Sequence, residues 1–270
     1  MKLSLHTLPE VPLEAEVIAP DQLKGLNESE AASLTVYHGN RKVNLGDFFA
    51  VSGKVDSSDG LVEVEGDLAS VKLIGHSMTF GRLMIAGSVG SHLGAAMSGG
   101  EISVEGNAAD WVGREMSGGR IVVHGDAGHM VGSTIRGSST GVQGGEIIIH
   151  GNALNEVGNG MRRGLIAVGG DTQDFTGVNM LAGTIIVLGQ MGMRPGAGMK
   201  RGSIVAMERT ELLPTFTYNS TFKPGFLRNY LFHLRKLGLS IADTCINGSY
   251  ERWSGDSIEL NKGEILLRAG

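Results

Sequence analysis

The sequence predicts an all-β fold: a right-handed parallel β-helix of coils about 19 residues long, with a non-repetitive N-terminal cap and a C-terminal cap containing one α-helix. Three observations carry the prediction. Seven times, from Gly60, Gly81, Gly100, Gly119, Gly145, Gly164 and Gly183, a glycine is followed by apolar residues two and four places on and a second glycine six places on. From Gly81 the steps are 19, 19, 26, 19 and 19 residues, and a partial copy begins at Gly202. Finally, 43 of the 270 residues are Gly, yet 41% of the chain is hydrophobic and no G-X-Y period runs through it, which excludes collagen-like and disordered chains.

Residues 1–57 precede the repeat. Leu3, Leu5 and the stretch from Leu34 to Val55 read as strands, and Asp21 to Leu26 as a short helical turn. This segment is expected to cap the first coil, because an open end of stacked strands invites edge pairing.

Residues 58–207 hold the coils. The alternating pairs Leu83/Ile85, Ile102/Val104, Ile121/Val123, Ile147/Ile149, Ile166/Val168 and Ile185/Val187 define short strands with one face inward. Strands recurring at one position of a coil stack in parallel, about 4.8 Å apart. The closing glycines are followed in most copies by the turn formers Asp67, Asn107, Asp126, Asn152 and Asp171. A third glycine column runs Gly94, Gly113, Gly132, Gly158, Gly177, Gly196, and a methionine column Met97, Met116, Val142, Met161, Met180, Met199. With no His or Cys column beside them, these thioethers read as an internal ladder filling one corner of each coil. The seven extra residues of the 26-residue step fall in Ser133–Gly141, expected as a surface loop.

Residues 208–270 leave the repeat. Leu227, Tyr230, Leu231, Leu234 and Leu237 lie on one face of an amphipathic helix that Gly238 is placed to stop, with Arg228, Arg235 and Lys236 outside. Ser257 to Leu267 alternates as one more strand.

The net charge of −5 and the absence of a Lys/Arg stripe argue against a nucleic-acid partner. The single Cys245 excludes an internal disulfide and any Cys-based metal cluster. No leader follows Met1 and no apolar run reaches 18 residues, so neither secretion nor a membrane is expected, and the cytoplasm is the expected location.

No catalytic residue and no metal site are expected. Glu105, His124 and His150 share a column of the repeat, but such outward polar positions read first as a solvated ladder. On later coils the outward strand positions turn apolar: Ile148, Leu165, Ala167, Ile186, Leu188, Val205 and Met207. A patch of that size needs a cover, either the C-terminal helix or another protein, and Ile148, Leu165, Ile186, Leu188 and Val205 are the candidate interface residues. Arg162, Arg163, Lys200 and Arg201 occupy equivalent corners two coils apart. Their four cations mark a candidate contact for a polyanion or an acidic partner.

The repeat, the segment His38 to Phe49 (HGNRKVNLGDFF) and the ending Arg252 to Asp256 through Asn261 to Ile265 (RWSGD, NKGEI) resemble the C-type subunit of formylmethanofuran dehydrogenase over essentially the full length. The repeat alone is also similar to the C-terminal β-helix domain of the large subunit of glutamate synthase, the alternative reading. The first resemblance implies a non-catalytic scaffold in a complex with A-, B- and D-type subunits that uses a methanofuran-type cofactor. It implies zinc in the A-type subunit, and a tungsten or molybdenum pterin in the B-type subunit only in the dehydrogenase form. No family catalytic motif falls on a residue of this chain. The polyglutamate tail of the cofactor becomes a candidate ligand for the corner at Arg162, Arg163, Lys200 and Arg201. The scarcity of Lys, Glu and Ile favours the bacterial formyltransferase/hydrolase complex over a heat-loving archaeal dehydrogenase.

Overall fold

The computed structural model describes every residue except Ser57, Arg136 and Gly270. Before the repeats come β1 (Lys2–Leu5), β2 (Leu13–Glu14), α1 (Pro20–Leu23), α2 (Glu28–Ala32), β3 (Thr35–His38), β4 (Arg41–Asn44) and, after a 3₁₀ turn at Leu45–Asp47, β5 (Phe49–Ser52). The repeats supply β6 (Leu61–Glu65), β7 (Val71–Lys72), β8 (Arg82–Ala86), β9 (Glu101–Val104), β10 (Arg120–Val123), β11 (Gln143–Ile149), β12 (Arg163–Val168), β13 (Thr184–Val187) and β14 (Arg201–Ala206). The chain ends in β15 (Thr217–Phe222), α3 (Gly225–Lys236), α4 (Asp243–Asn247), β16 (Tyr250–Gly255) and β17 (Lys262–Arg268).

Thirteen strands form one large, mostly parallel sheet in the order β15-β16-β17-β14-β13-β12-β11-β10-β9-β8-β6-β1-β5. A second sheet of four strands runs β4-β3-β2-β7. From β6 to β14 the neighbours are consecutive repeats, parallel and in register: Leu83 on Ile102, Ile102 on Ile121, Ile121 on Ile147, Ile147 on Ile166, Ile166 on Ile185 and Ile185 on Ile204. The 26-residue step leaves this register intact between Ile121 and Ile147, so the extra residues are absorbed outside the ladder. There Thr134 Oγ1 donates to Ser138 O at 2.9 Å and Thr134 N to Asn159 O at 3.1 Å. Arg136 of this expected loop lies outside the described residues.

A second row of parallel bridges, Leu68–Val89–Ala108–Ala127–Ala153–Thr172–Met191, ties the repeats together away from the main strands. Beside it four of the turn-forming side chains accept from the backbone of the next repeat, while Asp67 accepts from Ala69 N of its own repeat. Asp126 N donates to Asn107 Oδ1 at 2.8 Å, Asn152 N to Asp126 Oδ1 at 2.6 Å, Asp171 N to Asn152 Oδ1 at 2.8 Å and Gln190 N to Asp171 Oδ1 at 2.7 Å. The Asp and Asn column is thus a hydrogen-bond ladder as well as a set of turns.

One corner is strained in every repeat. Leu73, His92, Trp111, Met130, Glu156, Phe175 and Arg194 all have φ between 59° and 67°. A left-handed non-glycine residue costs about 1–2 kcal/mol. From Leu73 to Phe175 the corner is held because each N–H reaches the following repeat, as Trp111 N does to His129 O at 2.9 Å and Phe175 N to Met193 O at 2.9 Å. His92 stacks on Trp111 with ring centroids 5.0 Å apart, and Arg194 lies over the Phe175 ring.

The methionine ladder is internal as expected: Met78, Met97, Met116, Met161, Met180 and Met199 are fully buried, with Val142 in the same column. The glycine that opens each strand leaves room for these thioethers. A Cβ on Gly119 (φ +83°) would stand 2.6 Å from Met97 Cε and 2.8 Å from Gly100 O.

The end segments differ from expectation in three ways. Where one helical turn is expected at 21–26, α1 and α2 form; α2 is started by a capping box between Asn27 and Glu30. The C-terminal region holds two helices, α3 and α4, rather than one. It also holds the antiparallel strands β15 and β16, whose polar, partly exposed residues carry no alternation strong enough to mark them. The expected last strand is β17, which pairs in parallel with β14. Among the described residues no helix is long and apolar enough to cross a membrane.

The Gly119→Ala variant is expected to lose more stability than Gly25→Ala. Both positions are left-handed, at φ +83° and +82°, but a Cβ at Gly25 meets nothing within 4 Å. Gly25→Ala should therefore cost only the backbone term of about 1–2 kcal/mol, and Gly119→Ala that term plus overpacking of about 1–3 kcal/mol. Urea unfolding midpoints compare the two; equal losses would show that the thioether ladder tolerates a methyl.

Candidate functional site

The corners that precede β12 and β14 are equivalent: Arg162 N donates to Val142 O and Lys200 N to Met180 O, each at 2.8 Å. The repeat between them contributes Leu181, Ala182 and Gly183. The structure thereby brings Arg162, Arg163, Lys200 and Arg201 together around one cleft of about 560 Å³, closed on another side by Leu260 from the turn before β17. Arg162, Arg163 and Arg201 are exposed and Lys200 is half-buried. No ion pair within 4.0 Å among the described residues includes any of the four.

Strand starts in earlier repeats behave differently. There Arg82, Glu101, Arg120 and Glu146 lie in register, and their signs alternate. Arg120 sits 3.0 Å from Glu146 and 3.6 Å from Glu101, while Arg82 pairs with Asp59 at 2.8 Å. Leu260 of the cleft is the residue that sequence reasoning missed. The alternation from Ser257 to Leu267 indicated a strand but gave no hint of which repeat it joins.

His124 and His150 are adjacent, with ring centroids 4.6 Å apart, and His124 Nε2 is 3.9 Å from Glu105. Among the described residues no group of three or more His, Cys, Asp or Glu side chains is placed to hold a metal ion. His150 instead packs against the end of α3. The Gly238 Cα lies so close that a Cβ there would be 2.9 Å from His150 Cε1. Burial, and then the neighbouring His124, hold the His150 imidazole below its usual range.

The outward apolar face is covered by the chain itself. Val122, Ile148, Leu165, Ala167, Ile186, Val205 and Met207 form a second core with Leu227, Leu231 and Leu234 of α3, followed by Leu239, Ile241, Ile246 and Tyr250. This corrects the candidate interface. Ile148, Ile186 and Val205 are 0% exposed and Leu165 is buried, so these four side chains present no surface to another protein, while Leu188 packs partly buried against the same cluster. The physical reason is α3, whose Leu227, Leu231 and Leu234 at helical spacing meet a strip of matching width. A polar link adds to it: His233 Nε2 lies 2.9 Å from a carboxylate oxygen of Glu146, the acid that also meets Arg120. Partial burial opposes ionisation of Glu146, yet the bonds from His233 and Arg120 hold its carboxyl below the usual range.

A wider groove of about 940 Å³ follows the Asp and Asn ladder, with Ala108, Ala127 and Ala153 on its floor. Its acceptor oxygens Oδ1 of Asn107, Asp126, Asn152 and Asp171 are already engaged by the next repeat.

The GXGXG motif family model matches residues 68–221, more than half of the chain. A chain in the X-ray crystal structure of the formyltransferase/hydrolase complex (FhcABCD) from Methylorubrum extorquens in complex with methylofuran superposes with a TM-score of 0.91. It is 34% identical, with 100% of both chains covered. Among curated proteins, the C-type subunit of the molybdenum-containing formylmethanofuran dehydrogenase 1 of Methanothermobacter thermautotrophicus is 46% identical over 85 residues, 32% of this chain and 21% of the relative. The C-type subunit of the formyltransferase/hydrolase complex Fhc of Methylorubrum extorquens is 38% identical over 76 residues, 28% of each. The matched segments thus span about a fifth to a third of these curated relatives.

Acidification is expected to destabilise the fold before the carboxylates titrate. Burial, then the charges of Arg114 and Lys72, push the His92 imidazole down to about 4, and His150 is lowered from 6.5 as well. Between those values and 6.5 the unfolded chain binds protons that the folded chain refuses, so stability is complete above pH 6.5 and falls as pH drops toward 4. Below about 4.5 protonation of Glu146 adds to the loss. Melting temperatures from pH 7.5 to 4.5 should show this decline, and a flatter one in His92→Gln; equal slopes would remove His92 from the account.

Proposed function

The chain belongs to the family of C-type subunits of formylmethanofuran dehydrogenases and formyltransferase/hydrolase complexes, and on that premise we propose that it is a non-catalytic scaffold. It holds catalytic subunits of A, B and D type in a fixed arrangement around a methanofuran-type cofactor. In this reading residues 58–207 wind as a right-handed parallel β-helix, residues 1–57 cap its first coil and residues 208–270 cap its last. The observation that carries the reading is the continuous in-register sheet from β6 through β14 to β17, combined with an apolar face already closed by α3. Stacked repeats of this kind form a stiff body whose length and faces are set by the period. Its outer side chains are then free to be specified for contacts, while its own stability needs no partner for the second core.

The metal chemistry implied by the resemblance is assigned to the other subunits: zinc in the A-type subunit, and a tungsten or molybdenum pterin in the B-type subunit where the complex is a dehydrogenase. The residues of this chain would contribute binding and orientation. The full-length match to a chain of the bacterial complex favours the hydrolytic form.

Co-expression of the chain with A-, B- and D-type subunits from one source, followed by size-exclusion chromatography and mass spectrometry, tests the proposal. Co-elution at fixed stoichiometry, with the other three failing to assemble when the chain is omitted, is the expected result. Assembly of a fully active complex without the chain would overturn it.

A further inference from the structure

We propose that β15 is an open edge that takes one more strand, an extended segment of a different polypeptide with an apolar side chain opposite Tyr218. This edge is independent of the scaffold reading, which assigns no strand to a partner.

Of the four strands at the ends of the two sheets, three are protected in the ways usual for natural sheets. Strand β4 carries the exposed cations Arg41 and Lys42. Strand β5 is packed against α2, and Gly53 N just past it donates to Glu28 Oε1 at 2.6 Å. Strand β7 is two residues long, and Leu73 N just past it donates to Ser91 O of the next repeat at 3.1 Å. Strand β15 has none of these devices. Its six residues include no charge and no proline, and Thr217, Tyr218, Asn219 and Thr221 are exposed. Half of the backbone groups of a strand point away from a single neighbour. Among the described residues, no backbone group of β15 has a backbone partner outside β16. The one irregularity of this edge, between Tyr218 and Ser220, lies past the Tyr218 ring and leaves it in its row.

That row defines the missing neighbour. The inward column that starts at Leu83 reaches Ile204, passes to Ile265 of β17, then to Trp253 of β16 and ends on Tyr218. Ile204 and Ile265 are 0% exposed, Trp253 is half-buried and Tyr218 is 50% exposed. The two aromatic rings meet edge to face with centroids 5.7 Å apart. The apolar column of the whole stack therefore runs out at an exposed ring. An aliphatic or aromatic side chain on an added strand would extend it by one place, as a cross-strand pair. On the other face the row Glu264, Ser254, Thr217 is polar, so the flanking residues of that strand are polar. Main-chain hydrogen bonds supply affinity in such strand addition, and the alternate side chains supply selectivity.

A second copy of this chain does not meet the requirement. Antiparallel pairing of all six residues of two β15 strands sets Thr221 against Tyr218, which ends the column on a hydroxyl. Setting the two Tyr218 rings opposite one another pairs only residues 217–219 of each strand.

Hydrogen–deuterium exchange at residues 217–222, read by mass spectrometry, tests the edge in the full chain alone and after co-expression with A-, B- and D-type subunits. In the free chain the amides turned away from β16 should exchange rapidly, and with the partner strand in place they should slow about tenfold or more. Slow exchange in the free chain, or unchanged exchange in a complex that retains the chain, overturns the proposal. Tyr218→Lys should abolish the slowing by setting a charge at the end of an apolar row, whereas Tyr218→Phe should keep it. Tyr37→Lys, on β3 and 43% exposed, should keep it as well; equal effects of the two lysine variants would also overturn the proposal. Photoactivated p-benzoylphenylalanine in place of Tyr218, in cells producing the chain with A-, B- and D-type subunits, identifies the occupant. An adduct mapped to an extended segment of another polypeptide assigns it. An adduct with a second copy of this chain, or no adduct, refutes the proposal whether or not the complex forms. Failure of the scaffold reading has a different signature, an active complex assembled without this chain.

Discussion

In-register parallel hydrogen bonding between repeats is the constraint on which the rest of this molecule depends. Each repeat alone is too small to stand. It buries a handful of aliphatic side chains, each contributing about 1.5–3 kcal/mol, against an ordering cost of about 1–2 kcal/mol per residue for the backbone. The neighbours supply the remainder, through strand pairs such as Ile121 on Ile147, bridges such as Ala127 on Ala153 and side-chain acceptors such as Asp126. Because the inward positions stay in register through every repeat, with one irregularity between Gln143 and Glu146 at the start of β11, each column repeats one chemical choice. An isoleucine that fits once fits again one strand spacing away, and so does a thioether under the next glycine.

The same rule multiplies costs. The left-handed corner at Trp111 recurs in repeat after repeat, and each copy carries backbone strain that only the inter-repeat N–H bond offsets. A cation placed once would be stacked on cations if the column were copied faithfully. The chain escapes this at the strand starts by alternating Arg82, Glu101, Arg120 and Glu146, and the last acid then serves α3 through His233. The sheet therefore carries two kinds of face: an inner one fixed by aliphatic packing, and an outer one that changes along the stack from charged pairs to the apolar strip beneath α3.

Much of this was legible in the sequence, for reasons that differ by element. The repeats were readable because glycine spacing and apolar alternation both report the same register, and the insertion at Ser133–Gly141 could be placed because the columns on either side resume unchanged. The apolar outward residues announced a cover. Its identity was less accessible, since Leu227, Leu231 and Leu234 reveal an amphipathic helix but not the surface it meets. Strands β15 and β16 were invisible because their residues are mostly polar and take their conformation from pairing with β17 rather than from local preference. Of the basic cleft, the four cations were legible as equivalent corners, whereas Leu260 and the neighbouring Lys262 depend on a long-range return of the chain.

That return obeys the repeat code more closely than its distance suggests. Gly263, Ile265 and Leu267 register with Gly202, Ile204 and Ala206, so β17 carries the same glycine and two inward apolar positions as any repeat strand. Partners across this pair, such as Ser203 and Glu264, are 61 positions apart in the chain. The excursion between them builds β15, α3, α4 and β16 before the stack resumes. This arrangement explains why the outer face is covered where it is. A strand that must rejoin the sheet beside β14 keeps both ends of the excursion on the later repeats, within reach of the strip from Val122 to Val205. It also explains why the cations accumulate there. The row containing Arg163 and Arg201 is completed by a strand whose sequence is not bound to the 19-residue period, and Lys262 was free to be an acid.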